Sequence, residues 1–248
     1  MVRHSYASLP PSLPLPPFFT QIAEKIPGNA DSAQESVNAW GLEALQRGKN
    51  VVRLKVGDPF LYGRGGEEAL FYLKHGYTAD VIPGVCAALA APAIAGIPVT
   101  HRGAANQVLI STGQGRGGTL PQLSPYVEGR TLVLLMAVGR IPRLSADLHD
   151  YPQDSPVAII ERASHPDERV TRTTLANIAL DAAAAGVESP AVIVIGPVVD
   201  VLAREAEVSS EEAAKEEAKV SLSVSLPVIV TASDLTQAQA PLMSQSVI

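Results

Sequence analysis

The sequence predicts an α/β protein of two lobes, with a parallel α/β N-terminal lobe and a mixed α+β C-terminal lobe. Three observations support this. Short apolar runs alternate with helical segments that end at glycine, the alternation gives way to successive strands after Pro98, and 46% of the 248 residues are hydrophobic. We place the lobes at residues 25–99 and 100–202, with an irregular Pro-rich segment at 1–24 and a disordered tail at 203–248.

In the N-terminal lobe, helices and strands are predicted in turn. Ser32 and Glu35 have the spacing of a capping box, which predicts a helix from there to about Arg47. The remaining predicted elements are strands at 51–56 and 79–82 and helices at 67–75 and 85–95.

In the C-terminal lobe, strands dominate. They are predicted at 107–112, 131–136, 157–161 and 191–195, with one long helix at 173–185. Residues 205–219 are charged and rich in alanine, which favours a short solvated helix before the tail.

Composition excludes several classes of protein. A net charge of −6 argues against a general nucleic-acid binder, and an anionic substrate would need a local basic pocket. The single cysteine, Cys86, allows neither an intrachain disulfide nor a cysteine metal cluster, which favours a reducing compartment such as the cytoplasm. No apolar run is long enough to predict a membrane span.

The segment 56–68 is the most informative stretch, since it joins a predicted strand to a predicted helix. Gly57 permits close approach of a ligand, and the Asp58 carboxylate can accept hydrogen bonds from an amine or a ribose hydroxyl. Arg64, between glycines, can hold a carboxylate in bidentate fashion. The alternative is a Gly-rich turn in which Glu67 simply favours the helix N-terminus.

Residues 53–68 resemble the motif R-L-K-x-G-D-P-F-x-(F/Y)-G-R-G-G-E-E of the uroporphyrinogen-III C-methyltransferases of sirohaem synthesis, with Val56 where that family usually has glycine. Residues 82–92 are similar to its V-P-G-(V/I)-(S/T)-(S/A)-A-L-A-A-P segment, and residues 96–102 to G-I-P-(L/V)-T-H-R. The resemblance implies the two-lobed tetrapyrrole methylase fold, a homodimer, and S-adenosyl-L-methionine-dependent methylation of uroporphyrinogen III at C2 and C7 to precorrin-2, without a metal.

The resemblance also implies roles for individual residues. It suggests Lys25 and Arg64 as catalytic groups, although Lys25 also suits a solvated surface. The implied substrate-binding residues are Arg64, Glu67, Thr100, His101 and Arg102, and the implied cofactor-binding residues are Val56, Gly57, Asp58, Leu61, Cys86, Ala87, Met136, Ala163 and Ala191. For Cys86, Met136 and His101 the alternatives are a small helix residue, a core filler and an interface hydrogen bond.

The family's first strand and first Gly-Pro loop have no counterpart upstream of Lys25, so we expect an N-terminally truncated copy that the resemblance covers over about residues 8–200. One alternative is therefore a non-catalytic remnant that binds tetrapyrrole or a partner. A weaker alternative is a dinucleotide binder, from the G-x-G-x-x-G at 113–118, although Pro121 and Pro125 disfavour the helix that should follow.

Overall fold

A five-stranded mixed sheet organises the C-terminal part of the chain in the computed structural model, which describes residues 30–203. The strand order is β1-β2-β5-β3-β4; β1 and β2 are parallel, and every other neighbouring pair is antiparallel. The strands are β1 (Gln107–Thr112), β2 (Arg130–Leu135), β3 (Pro156–Glu161), β4 (Arg169–Thr174) and β5 (Ala191–Ile195).

The three inner strands are buried on both faces, which explains their continuous apolar sequences. Because side chains alternate along a strand, Leu132 and Leu134 face one hydrophobic cluster while Val133 faces the other. The same alternation holds in β3 and β5.

Helices cover both faces of this sheet. Two short helices, α4 (Ile141–Asp147) and α5 (Ile178–Ala184), pack on the Leu132 side. On the other side lies α3 (Ala87–Ile94), whose Ala88 and Ala91 are buried against the sheet. Small side chains there let the helix backbone approach the strands closely.

The two preceding helices, α1 (Ala30–Gln46) and α2 (Gly65–Lys74), contact each other beside the irregular segment 51–56. They meet at Glu68, a buried carboxylate on α2. Its Oε1 accepts hydrogen bonds from Lys55 Nζ at 2.7 Å and Gln34 Nε2 at 2.7 Å, and lies 3.3 Å from Arg53 Nη2. Burial would raise the pKa of Glu68, but these donors outweigh it, so the pKa lies below its usual value.

The predicted strands at 51–56 and 79–82 are wrong, because neither segment is a strand in the structure. The described part of the chain offers neither segment a ladder partner. In 51–56 the charged Arg53 and Lys55 turn inward to Glu68, whereas Val52, Leu54 and Val56 are 54%, 74% and 97% exposed. Apolar sequence alone does not supply the neighbouring strand that a ladder requires.

Three other sequence predictions need correction. Residues 173–185 do not form one helix, because β4 ends at Thr174 and α5 begins at Ile178. The helix α4 was not predicted at all. Ser32 lies inside α1, where its carbonyl oxygen accepts a hydrogen bond from Ser36, so it is not the N-cap.

Several predictions fall on parts of the chain outside the described residues: the Pro-rich segment 1–24, Lys25, the charged helix 205–219 and the tail 203–248, apart from residue 203. No helix among residues 30–203 combines the length and apolar character that crossing a bilayer requires.

Candidate cofactor and substrate site

Two loops cross at backbone contact distance, and this crossing forms the floor of the candidate site. Gly57 adopts φ +72°, a conformation that glycine tolerates without strain. A Cβ added to Gly84 would lie 2.2 Å from the Gly57 carbonyl oxygen, so no side chain fits there. The crossing holds loop 57–64 against the segment that leads into α3.

Asp58 ties the same two loops together through its carboxylate. Its Oδ1 accepts the Phe60 backbone N–H at 2.9 Å, and its Oδ2 accepts the Gly84 N–H at 3.2 Å. The hydrogen bond from Phe60, followed by that from Gly84, lowers the pKa of Asp58, so the group is ionised at neutral pH. Each carboxylate oxygen keeps a further lone pair for a ligand.

A cavity of about 480 Å³ opens beside this carboxylate. Its lining is mostly apolar. Besides Asp58, the residues that line it are Leu61, Gly84, Val85, Cys86, Leu89, Ala90 and Ile110. Cys86 is the N-cap of α3, where its Sγ accepts the Ala88 N–H at 3.4 Å, and Ala87 is the exposed first residue of that helix. A pocket with one carboxylate in an apolar wall suits a ligand with a flat apolar part and an amine or hydroxyl.

The structure therefore brings together four of the predicted cofactor residues, Gly57, Asp58, Leu61 and Cys86, around one crossing and one cavity. Val56 adjoins them in the chain and is 97% exposed.

Arg64 occupies a strained backbone position at the N-terminus of α2, with φ +58°. Its Nε and Nη2 donate to Glu67 Oε2 at 3.0 and 2.8 Å, and its Nη1 lies 3.1 Å from Asp31 Oδ1 on α1. The hydrogen bond to Glu67 raises the pKa of Arg64, so the guanidinium stays protonated. Such a group binds anions and does not accept protons.

A second group of predicted residues lies at one edge of the sheet. Met136 follows β2 directly, and Ala191 begins the neighbouring β5, whose Val192 pairs with Leu135. Ala191 in turn pairs with Glu161, two residues before Ala163. The strand register thus gathers these three residues at the edge of the sheet, but none of them lines the 480 Å³ cavity.

The predicted substrate residues Thr100, His101 and Arg102 are exposed in a turn closed by paired hydrogen bonds between His101 and Ala105. This turn precedes β1, whereas Met136 lies beyond the opposite end of the strands. Since a six-residue strand spans roughly 20 Å, the two groups are well separated. Their joint role stays a prediction.

Backbone strain marks the same loops. Within residues 30–203, five non-glycine residues have positive φ: Tyr62 (52°), Arg64 (58°), Met136 (54°), Arg162 (46°) and Ser164 (70°). Two of them are predicted site residues, and Arg162 and Ser164 flank Ala163. Strained backbone of this kind is concentrated at functional sites, because surrounding structure must hold it.

Comparison with known proteins agrees with this geometry. Residues 5–179 match the profile of the Tetrapyrrole (Corrin/Porphyrin) Methylases. The chain belongs to this family. Its mixed sheet and flanking helices are those of the two-lobed tetrapyrrole methylase fold.

Curated relatives are uroporphyrinogen-III methyltransferases. The chain is 46% identical over 198 residues to the "Uroporphyrinogen-III C-methyltransferase" of Saccharomyces cerevisiae, covering 79% of this chain and 33% of that protein. It is 41% identical to the "S-adenosyl-L-methionine-dependent uroporphyrinogen III methyltransferase" of Methanosarcina barkeri, covering 71% of each. The chain spans about a third of the length of the two fungal relatives it matches.

Among solved structures, the chain resembles the uroporphyrin-III C-methyltransferase of Thermus thermophilus complexed with S-adenyl homocysteine. The TM-score is 0.58 and the identity 38%, over 68% of this chain and 75% of that one. Within the family, the dinucleotide alternative also loses its support, because the Gly-rich loop 113–118 ends in a 3-10 turn (Arg116–Gly118) and no α-helix lies between that turn and β2.

Sequence reasoning missed several residues of the site. Ile110 lines the cavity, and its carbonyl oxygen accepts a hydrogen bond from the Tyr62 hydroxyl at 3.3 Å. Asp31 and Arg116 meet beside Arg64, although 85 positions separate them in the chain. Arg116 stands among the glycines of the G-x-G-x-x-G at 113–118, a pattern that indicates a dinucleotide motif but does not indicate a contact with Asp31.

Proposed function

We propose that the chain transfers methyl groups from S-adenosyl-L-methionine to C2 and C7 of uroporphyrinogen III, forming precorrin-2 in sirohaem biosynthesis. One observation carries the proposal: the loop whose sequence matches the family motif also builds the Gly57–Gly84 crossing and the wall of the apolar cavity. The names of the curated relatives and of the Thermus thermophilus complex support the same reaction.

The cavity suits the cofactor's chemistry. When bound, the cofactor supplies an electrophilic methyl group on a sulfonium, so no metal is required for activation. Leu61, Leu89 and Ile110 offer apolar surface to an adenosyl group, and the Asp58 carboxylate can accept hydrogen bonds from its ammonium or ribose hydroxyls. We propose Met136, Ala163 and Ala191 as its contacts from the sheet edge, with Val56, Cys86 and Ala87 beside the loop.

Substrate binding needs cations, because uroporphyrinogen carries acetate and propionate groups. We propose that the protonated Arg64 binds one of these carboxylates and orients a pyrrole carbon towards the methyl group, with Glu67 fixing the guanidinium. Thr100, His101 and Arg102 stay proposed contacts. Lys25, outside the described residues, is the proposed group that takes the proton released from the methylated carbon.

We further propose a homodimer in the cytoplasm. The family resemblance supports the assembly, and the use of a single cysteine supports a reducing compartment.

The first test is calorimetric titration of the purified chain with S-adenosylhomocysteine. We expect micromolar affinity, weakened about tenfold in Asp58→Asn by loss of a charge-assisted hydrogen bond. Asp80→Asn is the matched control, since Asp80 is exposed and does not line the cavity. Incubation with uroporphyrinogen III and methyl-labelled cofactor should then yield a product two methyl groups heavier. Labelling of an unrelated acceptor alone would falsify the proposal.

A second candidate is binding of cofactor or tetrapyrrole without turnover. One observation favours it: segments 51–56 and 79–82, which support the motif loop, lack ladder partners among the described residues. Tight S-adenosylhomocysteine binding without any methylated product would select this candidate.

A further inference from the structure

A single carboxylate lies between two arginines at the rim of the candidate site. Asp31 Oδ1 is 3.1 Å from Arg64 Nη1, and Asp31 Oδ2 is 2.7 Å from Arg116 Nη2. The three residues come from α1, the motif loop and the loop after β1. This geometry brings two guanidinium groups, from distant parts of the chain, onto the two oxygens of one carboxylate.

The arrangement is accessible to solvent. The Asp31 side chain is 49% exposed and that of Arg116 is 88% exposed. Ion pairs this exposed stabilise a fold little, because water competes for both charges. Arg116 also precedes two glycines of positive φ, Gly117 (66°) and Gly118 (79°), so the contact is made from a turn whose backbone adopts a conformation that glycine permits. A role in stabilising the fold therefore explains the Asp31–Arg116 ion pair poorly. Another carboxylate can replace that of Asp31 at little cost in free energy.

We infer that Asp31 is an internal substitute for a substrate carboxylate, and that Arg116 is a second arginine of the carboxylate subsite that Arg64 begins. This inference rests on the proposed function, which supplies a polycarboxylate tetrapyrrole as the ligand. On binding, one acetate or propionate group displaces Asp31 and takes both guanidinium groups. Arg116 thus determines specificity for substrates rich in carboxylates, and Asp31 competes with them.

The two substitutions that test this inference have opposite expected effects. Asp31→Asn removes the competitor, so binding should tighten by about threefold to tenfold, whereas Arg116→Gln removes a charge-assisted hydrogen bond and should weaken binding about tenfold or more. If Asp31 and Arg116 only hold α1 against the loop, both variants weaken binding in the same direction.

The experiment measures binding of uroporphyrin III to the full chain by fluorescence at low ionic strength. Coproporphyrin III, which has half as many carboxylates, is the comparison ligand. Glu43→Gln and Arg143→Gln are matched controls, because each removes an exposed charged side chain from an ion pair outside the site, with the same change in net charge as the corresponding test variant. Thermal melting checks that each variant is folded.

We expect the two opposite shifts with uroporphyrin III, smaller shifts with coproporphyrin III, and none in the controls. Changes in affinity of the same sign in both variants, or no change in either variant, would overturn the inference. The proposed function would still stand if the wild type binds uroporphyrin III. A wild type that binds no uroporphyrin III but methylates uroporphyrinogen III would overturn the inference alone. A wild type that binds S-adenosylhomocysteine but neither binds uroporphyrin III nor methylates uroporphyrinogen III would overturn both the inference and the proposed substrate.

Discussion

Two six-residue stretches with four aliphatic side chains each, β2 and the segment 51–56, behave in opposite ways in this chain. In β2, Leu132, Val133 and Leu134 are completely buried between two layers of helices. In the segment 51–56, Val52, Leu54 and Val56 are more than half exposed. Residues 53–55 and most of the segment 79–84 line a cavity of about 190 Å³. The difference lies in the neighbouring strands. Both stretches favour an extended backbone, but of the two only β2 has ladder partners in the part of the chain that the structure describes.

The largest expected difference is in stability. Leu132→Ala should lower the free energy of unfolding by about 3 kcal/mol, because it leaves a cavity in a packed core. Leu54→Ala, the same substitution at a side chain that is 74% exposed, should change it by less than about 0.5 kcal/mol. Urea denaturation of both variants measures the contrast. Equal losses would mean that residue 54 is buried in solution and that the comparison fails.

A buried carboxylate in the sheet region gives the next effect. Glu161 accepts hydrogen bonds from Arg169 Nε at 2.6 Å, Arg169 Nη2 at 2.8 Å and the Glu188 N–H at 2.8 Å. The bonds from Arg169 are the main cause that lowers the pKa of Glu161 below its ordinary 4.5. Glu161→Gln should therefore cost about 2 kcal/mol at neutral pH.

The sign of the pH dependence follows from that lowered pKa. Stability from Glu161 is present above pH 4.5, its ordinary value, and is lost as the pH falls through the lower folded-state pKa. The difference between wild type and Glu161→Gln should thus shrink on acidification below about pH 4.5. Glu68→Gln, with Lys55 as the lost partner, should show the same trend in the N-terminal region. A difference in the free energy of unfolding that grows as the pH falls would contradict the lowered pKa of these carboxylates.

The smallest effect concerns strain at the sheet edge. Met136 has φ +54° and is 52% exposed, so glycine there should relieve strain while little packing is lost. Met136→Gly should be about 1 kcal/mol more stable than Met136→Ala, which truncates the side chain but keeps the strained backbone. Thermal melting of this pair isolates the backbone contribution. Equal stability would show that position 136 carries no strain in solution.

Local patterns predicted the apolar strands well. The predicted strands 131–136, 157–161 and 191–195, which are buried on both faces, and the partly buried edge strand 107–112 are confirmed to within a residue or two. The missed strand β4 is an edge strand with the sequence Arg-Val-Thr-Arg-Thr-Thr, whose apolar content is too low for a pattern based on burial. The predicted strand 51–56 failed for the opposite reason, because no strand among residues 30–203 pairs with it and its apolar side chains Val52, Leu54 and Val56 are more than half exposed.

For the candidate site, the motif predicted the residues around the cavity but not their partners. Asp58 and Arg64 lie in one short loop, so their proximity follows from the sequence. Whether Asp31 reaches both Arg64 and Arg116 depends on how α1 packs beside the loop after β1, which no local pattern encodes. The separation of Thr100–Arg102 from Met136 likewise follows from strand direction alone.

The crossing of Gly57 and Gly84 also constrains how this sequence can drift. Because a side chain at Gly84 would collide with the Gly57 carbonyl oxygen, a single base change there that introduces even alanine pushes the two loops apart. No nearby flexible side chain can absorb the collision, since the obstructing atom is backbone. Positions 57 and 84 are therefore coupled: any side chain at residue 84 must displace the loop that carries Asp58, so the shape of the cavity wall depends on a glycine that contributes no side chain to it.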